Sequence, residues 1–225
     1  MNIFKKKNDI VAVFAAHPDD EILGAGATFA KLVDEGKEVH AIIVCEGESI
    51  RYDGNIEVDL MKHARNAASI IGFSSIKFLN FPEQKLDSIS LIDINQELES
   101  IIDSLNPQVV YTHYHGDINR DHQIVNESVL VATRPFNKII EEVYAFETPS
   151  STGLWNRHNF NPDTFEVIND HLDKKLEALS CYESEIPDFP HPRSLKSIEA
   201  RAKYWGSLIN QKYVEPFITL RNINM

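Results

Sequence analysis

The sequence predicts an α/β fold, a Rossmann-like doubly wound and mostly parallel sheet with helices on both faces. Apolar runs rich in β-branched residues alternate along the chain with longer segments of helical period. The first run, residues 10–16, is apolar on both faces, as in the central strand of a covered parallel sheet. In such a fold the functional loops lie at the carboxyl ends of the strands.

Each later element follows from its local pattern. Short β-branched runs predict strands at 39–45, 76–79, 109–111, 143–146 and 165–168. Helical spacing of apolar residues predicts helices at about 23–33, 59–71, 91–105, 121–132, 170–182 and 195–209. Gly36 and Gly72 are expected to end the first two helices in the left-handed conformation, and Pro107 and Pro135 close the next two.

Length and composition indicate one globular domain. The 225 residues are 43% hydrophobic and 25% charged, which disfavours disorder, a coiled coil and a membrane span. No repeat or clear linker interrupts the chain. We therefore predict a single domain over residues 1–225, with a core at about 8–146 and a C-terminal elaboration at about 147–225.

Charge and cysteine usage narrow the partners and the compartment. Acidic residues outnumber basic ones 34 to 22, so nucleic acid and anionic membrane surfaces are poor partners. The two cysteines, Cys45 and Cys181, have no metal or redox spacing, and the apolar run at 10–16 is too short for a signal sequence or a span. The sequence predicts a cytoplasmic protein and leaves homo-oligomerisation open.

A polar motif follows the first predicted strand, in residues 16–21, Ala-His-Pro-Asp-Asp-Glu. Adjacent carboxylates beside a histidine repel one another, and a bound cation would relieve that repulsion. The alternative is a turn that leads into a helix whose first residues are acidic. The position at a central strand's carboxyl end favours a metal site.

A second polar segment, residues 113–122, follows the fourth predicted strand and ends at His122. If the two strands are neighbours at the switch point of the sheet, His122 faces His17 and Asp20. Two imidazoles and one carboxylate would leave a fourth position open, as catalytic zinc sites require. The alternative is a polar surface loop with an aspartate helix cap.

The chain resembles the LmbE-like, or PIG-L, family of zinc-dependent deacetylases of N-acetylated amino sugars. The resemblance rests on the motif at 16–21, on Glu-Gly-Glu at 46–48, on Asp-Ile-Asn-Arg-Asp-His at 117–122 and on the length of the core. It covers about residues 8–146, and residues 213–217 are similar to the closing motif of bacterial members.

The resemblance implies that His17, Asp20 and His122 bind one zinc ion per chain and that Asp19 is the general base. Other divalent metals also suit such ligands. Zinc lowers the pKa of a bound water from ~15.7 toward ~7 and polarises an amide carbonyl. The implied substrate is a small N-acetylated sugar or sugar conjugate.

The chain departs from the family at the donor that would stabilise the oxyanion. Many members have His-x-Asp-His, whereas this chain has Asn119 where the first histidine would stand. The Asn119 amide or the His115 imidazole could replace it, and the residues alone do not choose between them. Asp121 either orients an imidazole from outside the metal site or caps a helix.

Four residues are candidates for contact with the substrate. Arg65 could reach a phosphate or a sugar hydroxyl, or lie on a solvated helix face. His191 and Arg193 lie in a proline-bearing loop that either presents them to the substrate or is simply rigid. Glu48 belongs to the motif after the second strand.

Two other functions are open from the residues. Gly24-Ala-Gly26 suggests a nucleotide-binding Rossmann domain without hydrolase activity, although these glycines follow the strand too late for that fingerprint. Two histidines and one carboxylate also suit a non-haem iron enzyme. The favoured prediction is a metal-dependent hydrolase that removes an N-acetyl group from an amino sugar.

Overall fold

The computed structural model describes residues 9–46, 59–136, 140–153 and 159–224. Its strands are β1 Ile10–Ala15, β2 Glu38–Cys45, β3 Ser75–Phe81, β4 Val109–His113, β5 Glu142–Phe146, β6 Thr164–Val167 and β7 Val214–Asn222. Its α-helices are α1 Asp20–Asp34, α2 Leu60–Ile71, α3 Leu91–Leu105, α4 Arg120–Ala132, α5 Leu172–Leu179 and α6 Leu195–Leu208. A 3-10 turn at Leu86–Ser88 precedes α3.

The strands form one sheet in the order β3-β2-β1-β4-β5-β7-β6. β3, β2, β1, β4 and β5 are parallel, and β7 runs antiparallel to both of its neighbours. The chain moves outward from β1 to β3 and then returns to place β4 on the other side of β1. The predicted α/β fold is confirmed, and its switch point lies between β1 and β4.

Two apolar layers cover the sheet. Buried residues of α1, α2, α5 and α6 pack on one face, and those of α3 and α4 pack on the other. β1 is buried on both faces, with Val11 to Ala15 each at most 1% exposed. This burial explains why the strand has no polar alternation, as the sequence indicated.

Strand β7 is the main element that the sequence analysis missed. The sequence indicates only a closing motif at residues 213–217, yet the segment pairs with β5 and β6 and joins the C-terminal third to the main sheet. Pro216 lies within it, and proline ordinarily argues against an internal strand because it cannot donate a ladder hydrogen bond. The first helix also begins earlier than predicted, at Asp20.

The glycines of Gly24-Ala-Gly26 lie inside α1 and serve packing. A Cβ at Gly24 would lie 2.2 Å from the Phe146 ring, so only glycine lets the helix approach the end of β5 this closely. The helix is kinked at Ala25, whose φ of −145° is not helical. These glycines are therefore not in the strand-to-helix turn that a dinucleotide-binding fingerprint requires.

Among the described residues no helix combines the length and apolarity needed to cross a bilayer.

Candidate active site

The turn between β1 and α1 brings the first group of polar side chains together. The Asp20 carboxylate accepts a hydrogen bond from the backbone N–H of His17 at 3.0 Å and lies 3.1 Å from His17 Nδ1. Asp19 has a φ of 111°, a left-handed conformation that a non-glycine residue rarely adopts. Its N–H donates to Glu21 Oε2 at 3.1 Å, which helps to hold this conformation. The turn is thus a tightly bonded unit.

The loop between β4 and α4 supplies the second group from the adjacent strand. Asn119 caps α4 by accepting a hydrogen bond from Asp121 N at 2.9 Å. The first turn of the helix therefore projects Asp121 and His122 toward β1, and both are buried. The N-cap of α4 is Asn119, so the alternative in which Asp121 caps this helix is wrong.

Three donor atoms converge between the two turns. His17 Nδ1, Asp20 Oδ2 and His122 Nε2 form a triangle with sides of 3.1, 3.2 and 3.3 Å. A tetrahedral zinc site with bonds of about 2.0–2.1 Å separates its ligand atoms by about 3.3 Å. The second oxygen of Asp20, Oδ1, is buried and has no hydrogen-bond partner among the described residues. The donor set and its spacing fit a small divalent cation.

Each histidine of this triangle has a carboxylate on its other ring nitrogen. Asp121 Oδ2 lies 3.0 Å from His17 Nε2, and Asp117 Oδ2 lies 3.2 Å from His122 Nδ1. Both carboxylates are themselves held, Asp121 by the backbone N–H groups of Gln84 and Leu86. Carboxylates placed in this way fix the tautomer of a metal-binding imidazole.

Cys45 lies behind the triangle. Its Sγ is 3.7 Å from Asp121 Oδ2, so Cys45, Asp121 and His17 form a second group of donor atoms. Burial raises the pKa of the thiol to about 11, and a neutral thiol donates to the carboxylate. Cys45 therefore supports Asp121 as a hydrogen-bond donor.

His113, at the end of β4, is buried beside the triangle, but its Nε2 is already engaged in a hydrogen bond with the backbone. Its Nε2 accepts the N–H of Ala16 at 2.9 Å, and its ring stacks on His122 with centroids 3.9 Å apart. Burial, reinforced by the charge of His122, holds the pKa of His113 well below its usual value. This neutral imidazole joins the ends of β1 and β4.

The ionisable groups of the triangle strongly perturb one another's pKa values. Burial lowers the pKa of His17, but hydrogen bonds to Asp121 and Asp20 outweigh it and raise the pKa well above its usual value. The pKa of His122 is also raised, because the Asp20 charge overcomes burial. Burial raises the pKa of Asp20, yet His122 and His113 bring it well below its usual range. The two histidines and Asp20 thus favour one another's charged forms.

A small pocket opens over this cluster and contains Asp19. The described residues that line it are His17, Pro18, Asp19, Leu60, Glu83, Gln84, Asn119, Glu185 and Arg193. Burial raises the pKa of Asp19 to about 7, and the neighbouring guanidinium of Arg193 opposes that rise. A carboxylate with a pKa near neutrality suits a general base.

The two residues predicted as oxyanion donors are placed differently. Asn119 lines the pocket, with its side-chain oxygen committed to the cap of α4. His115 is exposed, contacts the Tyr114 ring and is not among the lining residues. Their catalytic roles stay predictions.

Of the four predicted substrate contacts, the structure brings Arg193 to the pocket. Arg65 lies on the exposed side of α2, with its guanidinium 4.9 Å from the centre of the Phe78 ring. His191 is exposed, and its Nδ1 accepts the backbone N–H of Arg193 at 3.2 Å. Glu48 lies outside the described residues.

Sequence reasoning missed Asp117 and the residues that reach the pocket from the end of β3. Asp117 is fully buried and contacts His122, and Gln84 Nε2 lies 3.4 Å from His17 Nε2. Two signals were present. A ligating histidine usually has a carboxylate partner, and Asp117 precedes His122 in the same loop. Glu83 and Gln84 follow a strand of the parallel sheet at its functional edge.

The sequence is similar to those of known deacetylases. The chain is 34% identical over 185 residues to the uncharacterized deacetylase YaiS of Escherichia coli, covering 80% of this chain and 92% of that protein. It is 26% identical over 226 residues to the diacetylchitobiose deacetylase of Thermococcus kodakarensis, covering 92% and 82%.

The fold also occurs in a protein that is described by a different reaction. GalB, the 4-carboxy-2-hydroxymuconate hydratase of Pseudomonas putida, superposes with a TM-score of 0.76 at 20% identity over 96% of this chain and 98% of that one. The architecture alone does not decide between reactions. The family model for GlcNAc-PI de-N-acetylase, PIG-L, matches residues 12–133, which hold both turns of the site. Together with the likeness to YaiS, this match shows that the chain belongs to the PIG-L family.

Proposed function

We propose that this protein is a zinc-dependent N-deacetylase that hydrolyses the acetamido group of an N-acetylated amino sugar or its conjugate. The observation that carries the proposal is the triangle of His17, Asp20 and His122, with Asp19 beside it in the same pocket. Membership of the PIG-L family supports the reaction type. The deacetylases among its relatives, including one for diacetylchitobiose, support the substrate class.

The residues of the triangle would hold the ion, and those around it would perform the proton transfers. A divalent cation held there would polarise the amide carbonyl and acidify the attacking water. Asp19 lies in the pocket outside the triangle, so its carboxylate is placed to take a proton from water. It then returns the proton to the leaving nitrogen.

Water and the amide are the only reactants that this hydrolysis consumes. The water oxygen bonds to the carbonyl carbon, and the carbonyl π electrons move to oxygen. The C–N bond then breaks as the nitrogen receives its proton. The products are a primary amine and acetic acid, whose proton passes to the amine or to solvent, and the Asp19 carboxylate is regenerated.

The two alternative functions make different demands on the same residues. A nucleotide-binding domain would use the glycines that here pack α1 against Phe146. An iron enzyme would use the same triangle. Metal analysis with and without air, together with oxygen consumption, distinguishes iron from zinc chemistry, and oxygen-dependent turnover with iron would defeat the hydrolase.

The test is to incubate the zinc-loaded chain with N-acetylated sugars and sugar nucleotides while measuring free primary amine and acetate. We expect equal release of both from at least one compound. His17→Ala, Asp20→Ala and His122→Ala should lose metal and activity. Asp19→Asn should keep the metal and lose turnover by about 10²–10⁴-fold. Full activity of Asp19→Asn would refute its role as base.

A cytoplasmic location is part of the proposal and is supported by the two free cysteines.

A further inference from the structure

Arg193 is tied to the general base that the proposed function assigns. Its Nη1 donates to Asp19 Oδ2 at 2.8 Å, and its Nε donates to Ser150 Oγ at 3.0 Å. Both side chains of the ion pair are largely buried, with exposures of 15% for Arg193 and 3% for Asp19. A guanidinium held at two points in a buried wall has little freedom to turn.

The backbone around Arg193 adds to this rigidity. Arg193 immediately precedes Ser194, the cap of α6, whose hydroxyl accepts a hydrogen bond from Ser197 N. The backbone N–H of Arg193 donates to His191 Nδ1 at 3.2 Å. The proline-bearing loop therefore fixes the position of Arg193. This role accounts for the rigidity of the loop and requires no contact between His191 and the substrate.

The guanidinium has N–H groups to spare. An arginine carries five N–H donors, and its side-chain hydrogen bonds to the residues that the structure describes use two of them, while Glu185 Oε2 lies 3.9 Å from Nη1. Asp19 accepts its proton from the water that attacks the carbonyl carbon, so the oxygen on that carbon lies roughly 4–5 Å from the Asp19 carboxylate. The remaining N–H groups of a guanidinium bonded to that same carboxylate lie within about 5 Å of it, so one of them can reach an oxyanion that forms beside Asp19.

The chain offers weaker donors for the same task. The Asn119 side chain is neutral and its oxygen caps α4, while His115 is outside the pocket lining. A charged donor forms stronger hydrogen bonds to an anion than a neutral amide does. Arg193 is also held in place by its bonds to Asp19 and Ser150, so little reorganisation is needed during the reaction.

We propose that Arg193 is the protein's oxyanion donor and replaces the histidine that is absent at position 119. This inference rests on the proposed deacetylase function. When water adds to the acetamide carbon, negative charge develops on the former carbonyl oxygen, and a guanidinium N–H donates to it. When the C–N bond breaks, the carbonyl re-forms and the hydrogen bond weakens.

The test compares Arg193→Ala and Arg193→Lys with the wild type, using N,N′-diacetylchitobiose as substrate. The matched control is Arg134→Ala, which removes an exposed arginine whose partner is Glu99. We expect Arg193→Ala to keep its zinc and to lose about 10²–10³-fold in kcat. Its KM should stay within about threefold of the wild-type value, because the interaction forms in the transition state. Added guanidinium ion should restore part of the activity to this variant alone.

A second measurement separates an oxyanion donor from a residue that only positions Asp19. A methylphosphonamidate of glucosamine imitates the tetrahedral anion, whereas glucosamine does not. Arg193→Ala should weaken binding of the analogue by about 100-fold or more and leave binding of glucosamine nearly unchanged.

Three outcomes would overturn the inference while the proposed function stands: an unchanged kcat, a loss confined to KM, or an equal loss of affinity for both compounds. An inactive wild-type enzyme that also fails to bind zinc or the analogue would overturn the proposed function itself. The lysine variant should recover little, since an ammonium cannot keep both contacts of the planar guanidinium.

Discussion

Replacing Asp117 with asparagine tests whether the metal site depends on a carboxylate that does not touch the metal. The carboxylate is buried and accepts from Asn119 N at 2.8 Å, Ser151 Oγ at 2.9 Å and Thr152 Oγ1, as well as facing His122 Nδ1 at 3.2 Å. Each of these four neighbours can donate, so both carboxylate oxygens serve as acceptors.

An asparagine cannot satisfy all four. If its oxygen accepts from Asn119 N, its NH₂ group faces the imidazole Nδ1 of His122, where a donor already stands. The imidazole avoids this clash by moving its proton to Nε2, the nitrogen that faces His17 and Asp20. A protonated Nε2 cannot bind a metal, so the useful tautomer becomes the less stable one.

The expected loss in metal affinity is about 10–100-fold, or about 1.4–2.7 kcal/mol. Competition with a chromophoric zinc chelator measures this affinity directly on the purified chain. Asp170→Asn, at an exposed position, makes the same chemical change away from the site and should bind zinc as the wild type does. Circular dichroism of the metal-free variants shows whether the buried substitution has disturbed the fold.

The reasoning fails if Asp117→Asn is folded and binds zinc within about twofold of the wild-type affinity. Such a result would mean that His122 keeps its orientation through packing against His113, whose ring stacks on it. The carboxylate would then be a partner of the Ser151 and Thr152 hydroxyls and not of the metal site.

Three further predictions follow from burial and charge in the metal-free chain. Zinc binding should release protons, because the raised pKa values of His17 and His122 leave protons that the ion must displace. Calorimetry in two buffers of different ionisation enthalpy detects the released protons, and zinc affinity should rise with pH. Burial raises the pKa of Glu21 from 4.5 to about 8, so its contribution to stability is full below pH 4.5 and is lost as the pH rises toward 8. Metal-free wild type should therefore lose stability relative to Glu21→Gln at up to about 1.4 kcal/mol per pH unit over that range, whereas parallel denaturation curves would contradict the assignment. Gly24→Ala should lower the free energy of unfolding by about 1–3 kcal/mol or more, because its Cβ would meet the Phe146 ring; an unchanged melting temperature would count against this close packing.

The parts of the fold that were predictable are those that local pattern controls. The both-sided burial of β1 showed directly as an unbroken apolar run, and Gly36 and Gly72 marked helix ends through their positive φ values of 83° and 95°. The proximity of the polar motifs after β1 and β4 was predictable because a doubly wound sheet brings the carboxyl ends of two adjacent strands together at its switch point. Strand β7 was hidden because its apolar residues resemble a short motif and Pro216 argues against a strand.

The parts of the site that were not predictable depend on contacts between distant segments. Arg193 reaches Asp19 across 174 positions of sequence, and neither residue's surroundings indicate the pairing. The contrast with His191, two residues away and exposed, shows how little the loop's composition decides. Which of two neighbouring polar side chains enters a pocket is set by the geometry of the turn and by Ser194, the helix cap that follows.

The C-terminal third supports the proposed metal site through the kink in α1. Just after the break at Ala25, Glu215 of β7 accepts from Ala27 N at 3.3 Å and Thr28 N at 2.7 Å. Lys175 of α5 donates to Leu23 O at 2.8 Å and to Glu215 at 2.6 Å, so it pairs with the same carboxylate and satisfies a carbonyl from the first half. A buried ion pair with all of these hydrogen bonds is costly to break from either side. The kink lets the first turn of α1 aim Asp20 at His17 and His122 while the rest of the helix packs on the sheet. The elements added after β5 therefore help to set the direction of a proposed metal ligand that the first thirty residues encode.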